Sequence, residues 1–224
     1  MPDSVLITGA SSGIGRALAI EFSRRGYALG LCARRLELLE NLQHELSRNH
    51  AVEIAELDVS QYEAVKEVLF KLAEKLGGAK IIIANAGVGE RSLPGEGTFY
   101  LDRRVIEINL LGAMATIDAG AEILKKQGGG QIVGISSVAG FRGLSKVPAY
   151  SASKSALSTY MEGIRHHLID TKDPNEQYSV AEFCTRVSEI IQETPSNYII
   201  CGGTGLYCRA FLYNYDFHLY FRKF

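Results

Sequence analysis

Tyr150 and Lys154 are the two residues of this sequence best suited to proton transfer. They lie four positions apart in a helical stretch that follows Pro148, so both side chains are on one face of the helix. Tyrosine is a weak base at neutral pH, but a neighbouring ammonium group stabilises its phenolate form. The pair is therefore a possible proton-transfer centre, although the same spacing also occurs in ordinary amphipathic helices.

Ser136, Ser137 and Asn109 add polar groups that such a centre would need. The two serines are expected at the end of a buried strand, and ligands of parallel sheets bind at the carboxyl ends of the strands. Serine at a strand end is equally typical of a plain turn. Asn109 interrupts an apolar helical run, where a buried amide is either part of a site or a hydrogen-bonded core residue.

A glycine-rich loop, Thr8–Gly15, predicts a site for a phosphate-bearing cofactor. Small residues let the main chain approach a pyrophosphate, and the following helix supplies N–H groups and a partial positive charge. The loop follows the first strand of a βαβαβ pattern, which favours dinucleotide binding over a simple tight turn. The predicted cofactor contacts in the loop are Gly9, Ser11, Ser12, Gly13, Ile14 and Gly15.

The end of the second predicted strand indicates which dinucleotide binds. An acidic residue there would bind a ribose 2′-hydroxyl, whereas a basic residue would accept a 2′-phosphate. This strand ends in Arg34 and Arg35 and has no carboxylate at the turn. The pattern favours NADP (NADPH) over NAD, with Arg34 preferred to Arg35. The alternative is that both arginines are solvated residues at the start of the next helix.

A regular series of elements positions these residues. Short apolar runs alternate with helical patterns over the first 165 residues. The runs are continuous, as in strands buried on both faces, and the helical segments are long enough for right-handed crossovers. We expect an α/β fold, a three-layer doubly wound parallel sheet of the Rossmann-like type. The predicted strands are Val5–Thr8, Ala28–Ala33, Val52–Leu57, Ile81–Ala84 and Gln131–Ser136, and the predicted crossover helices are Ile14–Arg25, Leu36–Arg48, Tyr62–Leu76 and Thr98–Lys126.

Composition and charge exclude several classes of protein. The 224 residues include 24 Lys plus Arg and 25 Asp plus Glu, and 46% are hydrophobic, as in soluble globular proteins. A net charge of -1 gives no general attraction to nucleic acid or to an anionic membrane, and no apolar stretch is long enough to span one. The four cysteines lack zinc-site spacing and the chain enters a strand at once. We therefore expect no metal, no signal peptide and a cytoplasmic location.

The first 165 residues resemble the classical short-chain dehydrogenase/reductase family. The resemblance is specific because six separated motifs occur in the family's order and at family-like spacing. These motifs are Thr8–Gly15, Asp58 with Val59, Asn85-Ala86-Gly87, Asn109, Ser136-Ser137, and Tyr150 with Lys154.

The resemblance implies a role for each motif. Tyr150 would exchange the substrate proton, and Lys154 would hold the nicotinamide ribose and tune the tyrosine. Ser137, 13 positions before Tyr150, would orient the carbonyl or hydroxyl, while Asn109 would position a relay water. Further implied cofactor contacts are Asp58 and Val59, with the aspartate at the adenine, and Asn85, Ala86 and Gly87 along the cofactor.

The implied function is that of an NADP-dependent oxidoreductase acting on a small-molecule carbonyl or secondary alcohol. The cofactor would carry the hydride, and the protein would supply orientation and electrostatics. The family usually pairs its subunits through the stretch that corresponds to Thr98–Lys126 and through the catalytic helix. The resemblance therefore also implies a homodimer or homotetramer.

A change in composition near Arg165 divides the chain into a catalytic domain, 1–165, and an atypical C-terminal segment, 166–224. The first part holds 9 Tyr plus Phe and the second holds 11. No Pro-Gly dipeptide follows Arg165, although the family has such a turn beside the nicotinamide. Residues 166–217 instead resemble an internal segment of tRNA dimethylallyltransferase. The matching runs are His166–Pro174, Tyr178–Phe183 and Cys201–Tyr207.

This second resemblance does not predict transferase activity. The sequence contains no Gly-Lys dipeptide, so it lacks the G-x-x-x-x-G-K-[ST] phosphate loop of that family. One hypothesis is that the run Tyr198–Cys201 adds a strand beside the fifth one and covers the sheet edge. The alternative for the whole chain is a non-catalytic or inactive NADP-binding fusion protein that has lost the usual substrate-binding half.

Overall fold

A parallel sheet with helices on both faces forms the core of the molecule. The computed structural model describes residues 3–47 and 50–168. Five strands pair in the order β3-β2-β1-β4-β5, and every pairing is parallel. The strands are β1 (Ser4–Thr8), β2 (Ala28–Ala33), β3 (Val52–Glu56), β4 (Ile81–Ala84) and β5 (Gln131–Gly134). The expected three-layer doubly wound α/β fold is confirmed.

The helices pack on the two faces of the sheet. The α-helices are α1 (Gly13–Arg24), α2 (Leu36–Leu46), α3 (Tyr62–Lys75), α4 (Phe99–Ile106), α5 (Gly112–Gln127) and α6 (Pro148–Leu168). Of these, α1 to α5 lie between successive strands, and α6 follows β5. A π-turn, Glu107–Leu111, separates α4 from α5, and a short 3₁₀ helix, Val138–Gly140, follows β5. None of these helices, within the part of the chain that the structure describes, is both long and apolar enough to cross a membrane.

Alternate residues of each strand supply two separate hydrophobic cores. On β1, Leu6 packs into the core beneath α3, α5 and α6, whereas Val5 and Ile7 pack beneath α1 and α2. All three are fully buried. Side chains that alternate between two apolar faces explain why the strands are continuous hydrophobic runs in the sequence.

The chain reverses its direction of winding between β1 and β4. β2 and β3 lie on one side of β1, and β4 and β5 lie on the other side. Ligands of open α/β sheets bind in the crevice that this reversal opens at the carboxyl ends of the strands. The loops after β1, β2, β4 and β5 therefore meet at one place.

Most predicted boundaries differ from the structure by at most two residues, and one predicted helix is interrupted. The helix predicted over Thr98–Lys126 is interrupted by the π-turn, within which the side chain of Asn109 bonds to the main chain of Val88 in the loop after β4. The fifth strand ends at Gly134 rather than at Ser136. The predictions for Tyr198–Cys201 and for the rest of residues 169–224 lie outside the described residues.

Candidate active site

A cavity of about 460 Å³ lies at the carboxyl ends of the strands, where the winding reverses. It brings together the glycine loop, the end of β2, the loop after β4 and the first turns of α6. Its lining includes every predicted cofactor contact except Gly15: Gly9, Ser11, Ser12, Gly13, Ile14, Arg34, Arg35, Asp58, Val59, Asn85, Ala86, Gly87, Tyr150 and Lys154.

The glycine loop has its shape because two close approaches leave no room for a side chain. Gly9 has a φ of +69°, and a Cβ atom there would lie 2.7 Å from the Cα of Ala86. A Cβ at Gly15 would lie 2.4 Å from the carbonyl oxygen of Gly9. Gly15 thus lets α1 pack against the loop and does not line the cavity. The Asn85 amide donates to the carbonyl oxygens of Thr8 (2.9 Å) and Gly9 (3.2 Å), which fixes the loop.

The two arginines after β2 point to different partners. Arg35 Nη2 donates to Ser12 Oγ at 2.7 Å and to Ser11 Oγ at 3.2 Å, so its guanidinium lies on the glycine loop. Arg34 Nη1 lies 4.0 Å from a carboxylate oxygen of Asp58, at the other wall of the cavity. Together they place two positive charges where the cavity meets solvent.

Asp58 is ionised in this position. Burial alone raises its pKa, but the main-chain N–H of Ser60 (3.0 Å), the Ser60 hydroxyl (2.7 Å) and nearby Arg34 hold the pKa of Asp58 below its usual value. The carboxylate therefore accepts hydrogen bonds at the cavity wall and balances part of the arginine charge.

The side chain of Lys154 is buried between β5 and its own helix. Its Nζ donates to the carbonyl oxygen of Ile135 at 2.7 Å and lies 5.8 Å from the centre of the Tyr150 ring. Burial lowers the pKa of Lys154, since the ammonium form loses hydration. The structure thus places the ammonium group next to the tyrosine, as the four-residue spacing predicted.

The two consecutive serines after β5 have separate hydrogen-bond partners. Ser136 lines the cavity, and its Oγ lies 3.0 Å from the main-chain oxygen of Lys154 and 2.7 Å from Ser158 Oγ. Ser137 Oγ accepts the N–H of Ala139 at 3.1 Å and so begins the 3₁₀ helix. Ser137 is not among the residues that line the cavity.

Asn109 is fully buried behind the cavity wall. Its Oδ1 accepts the N–H of Val88 at 2.7 Å, while its Nδ2 donates to the Val88 carbonyl at 2.8 Å and to Ser153 Oγ at 3.3 Å. Ser153 in turn donates to the carbonyl oxygen of Tyr150 at 2.8 Å. The amide therefore ties the loop after β4 to α6.

Sequence reasoning did not single out Val88, Ser153 or Ser158. Ser158 carries a detectable signal, since it lies four positions after Lys154 and so on the same face of α6. No sequence pattern distinguishes Ser153 from the other serines of the same helix. Val88 takes part through its main chain, and no side-chain pattern reports such a role.

The donor set fits a nicotinamide dinucleotide. The first turn of α1 offers main-chain N–H groups to a pyrophosphate, and the close approach at Gly9 keeps that surface free of side chains. Basic groups are available at one end of the cavity and a tyrosine–lysine pair at the other. Among the side chains that the structure describes, in residues 3–47 and 50–164, no three of His, Cys, Asp or Glu gather as they would around a metal ion.

Comparisons with protein-family models give two overlapping matches. The model described as short chain dehydrogenase matches residues 3–172, and the model described as IPP transferase matches residues 151–222. Both resemblances expected from the sequence are thereby confirmed.

Among curated proteins, an uncharacterized oxidoreductase of Mycobacterium tuberculosis is 39% identical over 165 residues, which cover 72% of this chain and 65% of that protein. One from Myxococcus xanthus is 42% identical over 173 residues, covering 75% and 67%. The chain thus spans about two thirds of the length of these relatives.

Solved structures show the same architecture. An alcohol dehydrogenase from Thermococcus sibiricus, in complex with 5-hydroxy-NADP, has a TM-score of 0.72 at 27% identity, covering 90% of this chain and 97% of that one. A 3-ketoacyl-ACP reductase from Sinorhizobium meliloti has a TM-score of 0.69 at 31% identity, covering 74% and 66%.

Proposed function

Because the chain belongs to the short-chain dehydrogenase family, we propose that it is an NADP(H)-dependent oxidoreductase acting on a carbonyl or secondary alcohol. The observation that carries this proposal is that the glycine loop, the arginines after β2 and the Tyr150–Lys154 pair all line one cavity. When bound, the nicotinamide supplies or accepts the hydride.

Tyr150 moves the proton in this proposal. In the direction of reduction its hydroxyl donates to the carbonyl oxygen of the substrate, and in oxidation its phenolate accepts the proton of the alcohol. The Lys154 ammonium, 5.8 Å from the ring centre, stabilises the negative charge that the tyrosine oxygen then carries.

Ser137 and Asn109 assist the Tyr150–Lys154 pair in this proposal. Ser137 Oγ accepts one hydrogen bond from Ala139, and a hydroxyl that accepts still has its proton to donate to a substrate oxygen. The side-chain amide of Asn109 is held in place by its bonds to Val88 and Ser153, and from this fixed position Asn109 would place a relay water, as the family resemblance implies.

The preference for NADP over NAD rests on charge at the end of β2. Arg35 already lies against Ser11 and Ser12, so a 2′-phosphate placed there would meet a guanidinium and two hydroxyls. The sequence favoured Arg34 over Arg35, but the contacts of Arg35 with the glycine loop favour Arg35 as the main phosphate ligand in this proposal. Arg34, whose side chain is 49% exposed, supplies the second positive charge. We expect a phosphate to compete well with the weak Arg34–Asp58 contact, because that contact is 4.0 Å long.

The test is NADPH oxidation by the full chain, followed at 340 nm, across a panel of aldehydes and ketones, with alcohols and NADP tested in reverse. Tyr150→Phe is measured beside the unaltered protein. Turnover that requires Tyr150 supports the proposal, and equal turnover by Tyr150→Phe contradicts the assigned role.

A second candidate function is binding of NADP without catalysis. It is favoured by the match of residues 151–222 to an unrelated family, in the region where the sequence lacks the expected Pro-Gly turn. The same panel separates the two candidates, since tight NADPH binding without turnover of any substrate supports the non-catalytic one.

We further propose a cytoplasmic location and a homodimer or homotetramer. The buried thiol of Cys32 is compatible with a reducing compartment. Phe99 and Tyr100 on α4 and Leu111 in the π-turn are exposed apolar side chains that a second copy would cover. Sedimentation of the full chain measures the assembly.

A further inference from the structure

Ser136 lies at the point where the exit of β5 meets the helix that carries the proton-transfer pair. Two consecutive residues of that exit attach to Lys154. The carbonyl of Ile135 accepts from its Nζ at 2.7 Å, and Ser136 Oγ lies 3.0 Å from its main-chain oxygen. One attachment holds the side chain of the lysine and the other holds its backbone.

Two further features converge on the same carbonyl oxygen. Ser158 Oγ lies 3.0 Å from it and 2.7 Å from Ser136 Oγ. A Cβ atom at Gly140 would lie 3.2 Å from it and 3.0 Å from the Lys154 carbonyl carbon, so the glycine allows the 3₁₀ helix to pack directly on this turn of α6.

The number of protons decides how the two serines share these three contacts. Each hydroxyl has one proton, so Ser136 and Ser158 together can fill only two of the three. If Ser158 bonds the carbonyl four residues before it, as serines in helices commonly do, Ser136 donates to Ser158. If Ser136 bonds the carbonyl directly, Ser158 donates to Ser136. If both serines bond the carbonyl, no proton lies between the two hydroxyls. In all three arrangements Ser136 is the group that joins β5 to α6.

We propose that Ser136 is a positioning residue, which sets the location of the Lys154 ammonium beside Tyr150 by anchoring the backbone of Lys154 to the exit of β5, with Ser158 as its partner. Its effect on turnover rests on the proposed function. Its effect on the position of Lys154 does not, because that can be measured without any substrate.

The measurement is the rate at which acetic anhydride modifies Lys154, followed by mass spectrometry of its peptide in the full chain. We expect Ser136→Ala to raise this rate about fivefold, the factor that loss of one hydrogen bond would give. Ser136→Thr keeps the hydroxyl and should restore the original rate. Alkylation of buried Cys32, read from the same digest, reports any general opening of the fold.

Further variants test the partner serine, Ser158, and provide a matched control. Ser158→Ala should have a smaller effect, since Ser136 is still 3.0 Å from the carbonyl, and the double variant should equal Ser136→Ala alone. Thr159→Ala removes a hydroxyl that makes the same type of bond in the same helix, to Ser155 at 3.2 Å, but on the exposed face. It should leave the modification of Lys154 unchanged.

Turnover provides the second readout. In Ser136→Ala, kcat should fall about fivefold and the KM for NADPH should change less than twofold, with recovery in Ser136→Thr. Equal modification of Lys154 in Ser136→Ala and the unaltered protein would overturn the proposal, as would a matching rise at Cys32. Faster modification of Lys154 in a protein that turns over no substrate would support the anchor and refute the proposed activity.

Discussion

The two ends of the cavity are built in different ways. At the end beside β2, the polar groups are on half-exposed arginines, and the shape comes from glycines that allow close backbone approach. At the end between β5 and α6, the polar groups are buried: Lys154 is 5% exposed, and Asn109 and Ser153 are fully buried. Throughout the described part of the chain, every buried side-chain nitrogen and oxygen has a hydrogen-bond partner.

We expect the two ends to control different quantities: the β2 end the affinity for the cofactor, and the α6 end the rate of turnover. Exposed charges attract a phosphate group but hold no precise geometry, because their side chains remain mobile and screened by water. Buried groups with satisfied hydrogen bonds hold fixed positions, as proton transfer requires. Changes at the β2 end should therefore alter cofactor affinity, and changes at the α6 end should alter turnover.

The largest effect is expected for Lys154→Met at the α6 end. Loss of the ammonium removes the group that stabilises the tyrosine oxygen, and kcat should fall by about 10²- to 10⁴-fold. NADPH oxidation measures the change. A loss in NADPH affinity with an unchanged kcat would contradict the separation of the two ends.

The folding stability of Lys154→Met relative to the unaltered protein should also depend on pH. The pKa of Lys154 is lowered from its usual 10.5 by burial, so the ammonium form destabilises the folded state below that lowered pKa. This penalty disappears as the pH rises towards 10.5, and Met at this position has no such penalty. The stability of Lys154→Met relative to the unaltered protein, measured by urea unfolding, should thus decline as the pH rises through the lowered pKa towards 10.5. A constant difference would contradict the burial effect.

A smaller effect is expected for Gly15→Ala at the other end. The new Cβ would meet the carbonyl oxygen of Gly9 at 2.4 Å, so the loop and α1 must move apart, at a cost of about 1–3 kcal/mol in the free energy of unfolding. Gly163→Ala is the matched control, since a Cβ there meets nothing within 4 Å and alanine favours a helix by about 0.5–1 kcal/mol. Urea unfolding should give opposite signs for the two variants.

The smallest effect is expected for Arg35→Ala. Loss of its guanidinium should weaken NADPH binding about tenfold and leave NADH binding and kcat nearly unchanged. Arg24→Ala, which removes an exposed arginine paired with Glu21 on α1, is the control and should change neither affinity. Isothermal calorimetry measures both variants. An equal loss for NADPH and NADH would show that Arg35 supports the loop rather than a 2′-phosphate.

The sheet and the position of the cavity could be predicted from the sequence because their signals are local. Apolar runs and helical periodicity located all five strands within two residues at each end, and the glycine loop located one wall of the cavity. The spacing of Tyr150 and Lys154 predicted that they share a helix face, and the structure places them together.

The remaining features depend on contacts between distant residues. Asn109, in the π-turn Glu107–Leu111, bonds to Val88, 21 positions away, and periodicity cannot report such a partner. The link of Ser136 to Lys154, 18 positions away, is equally invisible in the sequence. The contact of Arg35 with the glycine loop joins residues that the sequence separates by a whole helix and strand.

The central claim is that this cavity binds NADP(H), and the most direct test is calorimetric titration of the full chain with NADPH and, in parallel, NADH. NADPH should bind at least about tenfold tighter than NADH, since only its 2′-phosphate meets the arginines after β2. Equal affinity for the two dinucleotides would contradict the assignment of the cofactor, and binding of neither would contradict the account of the cavity itself.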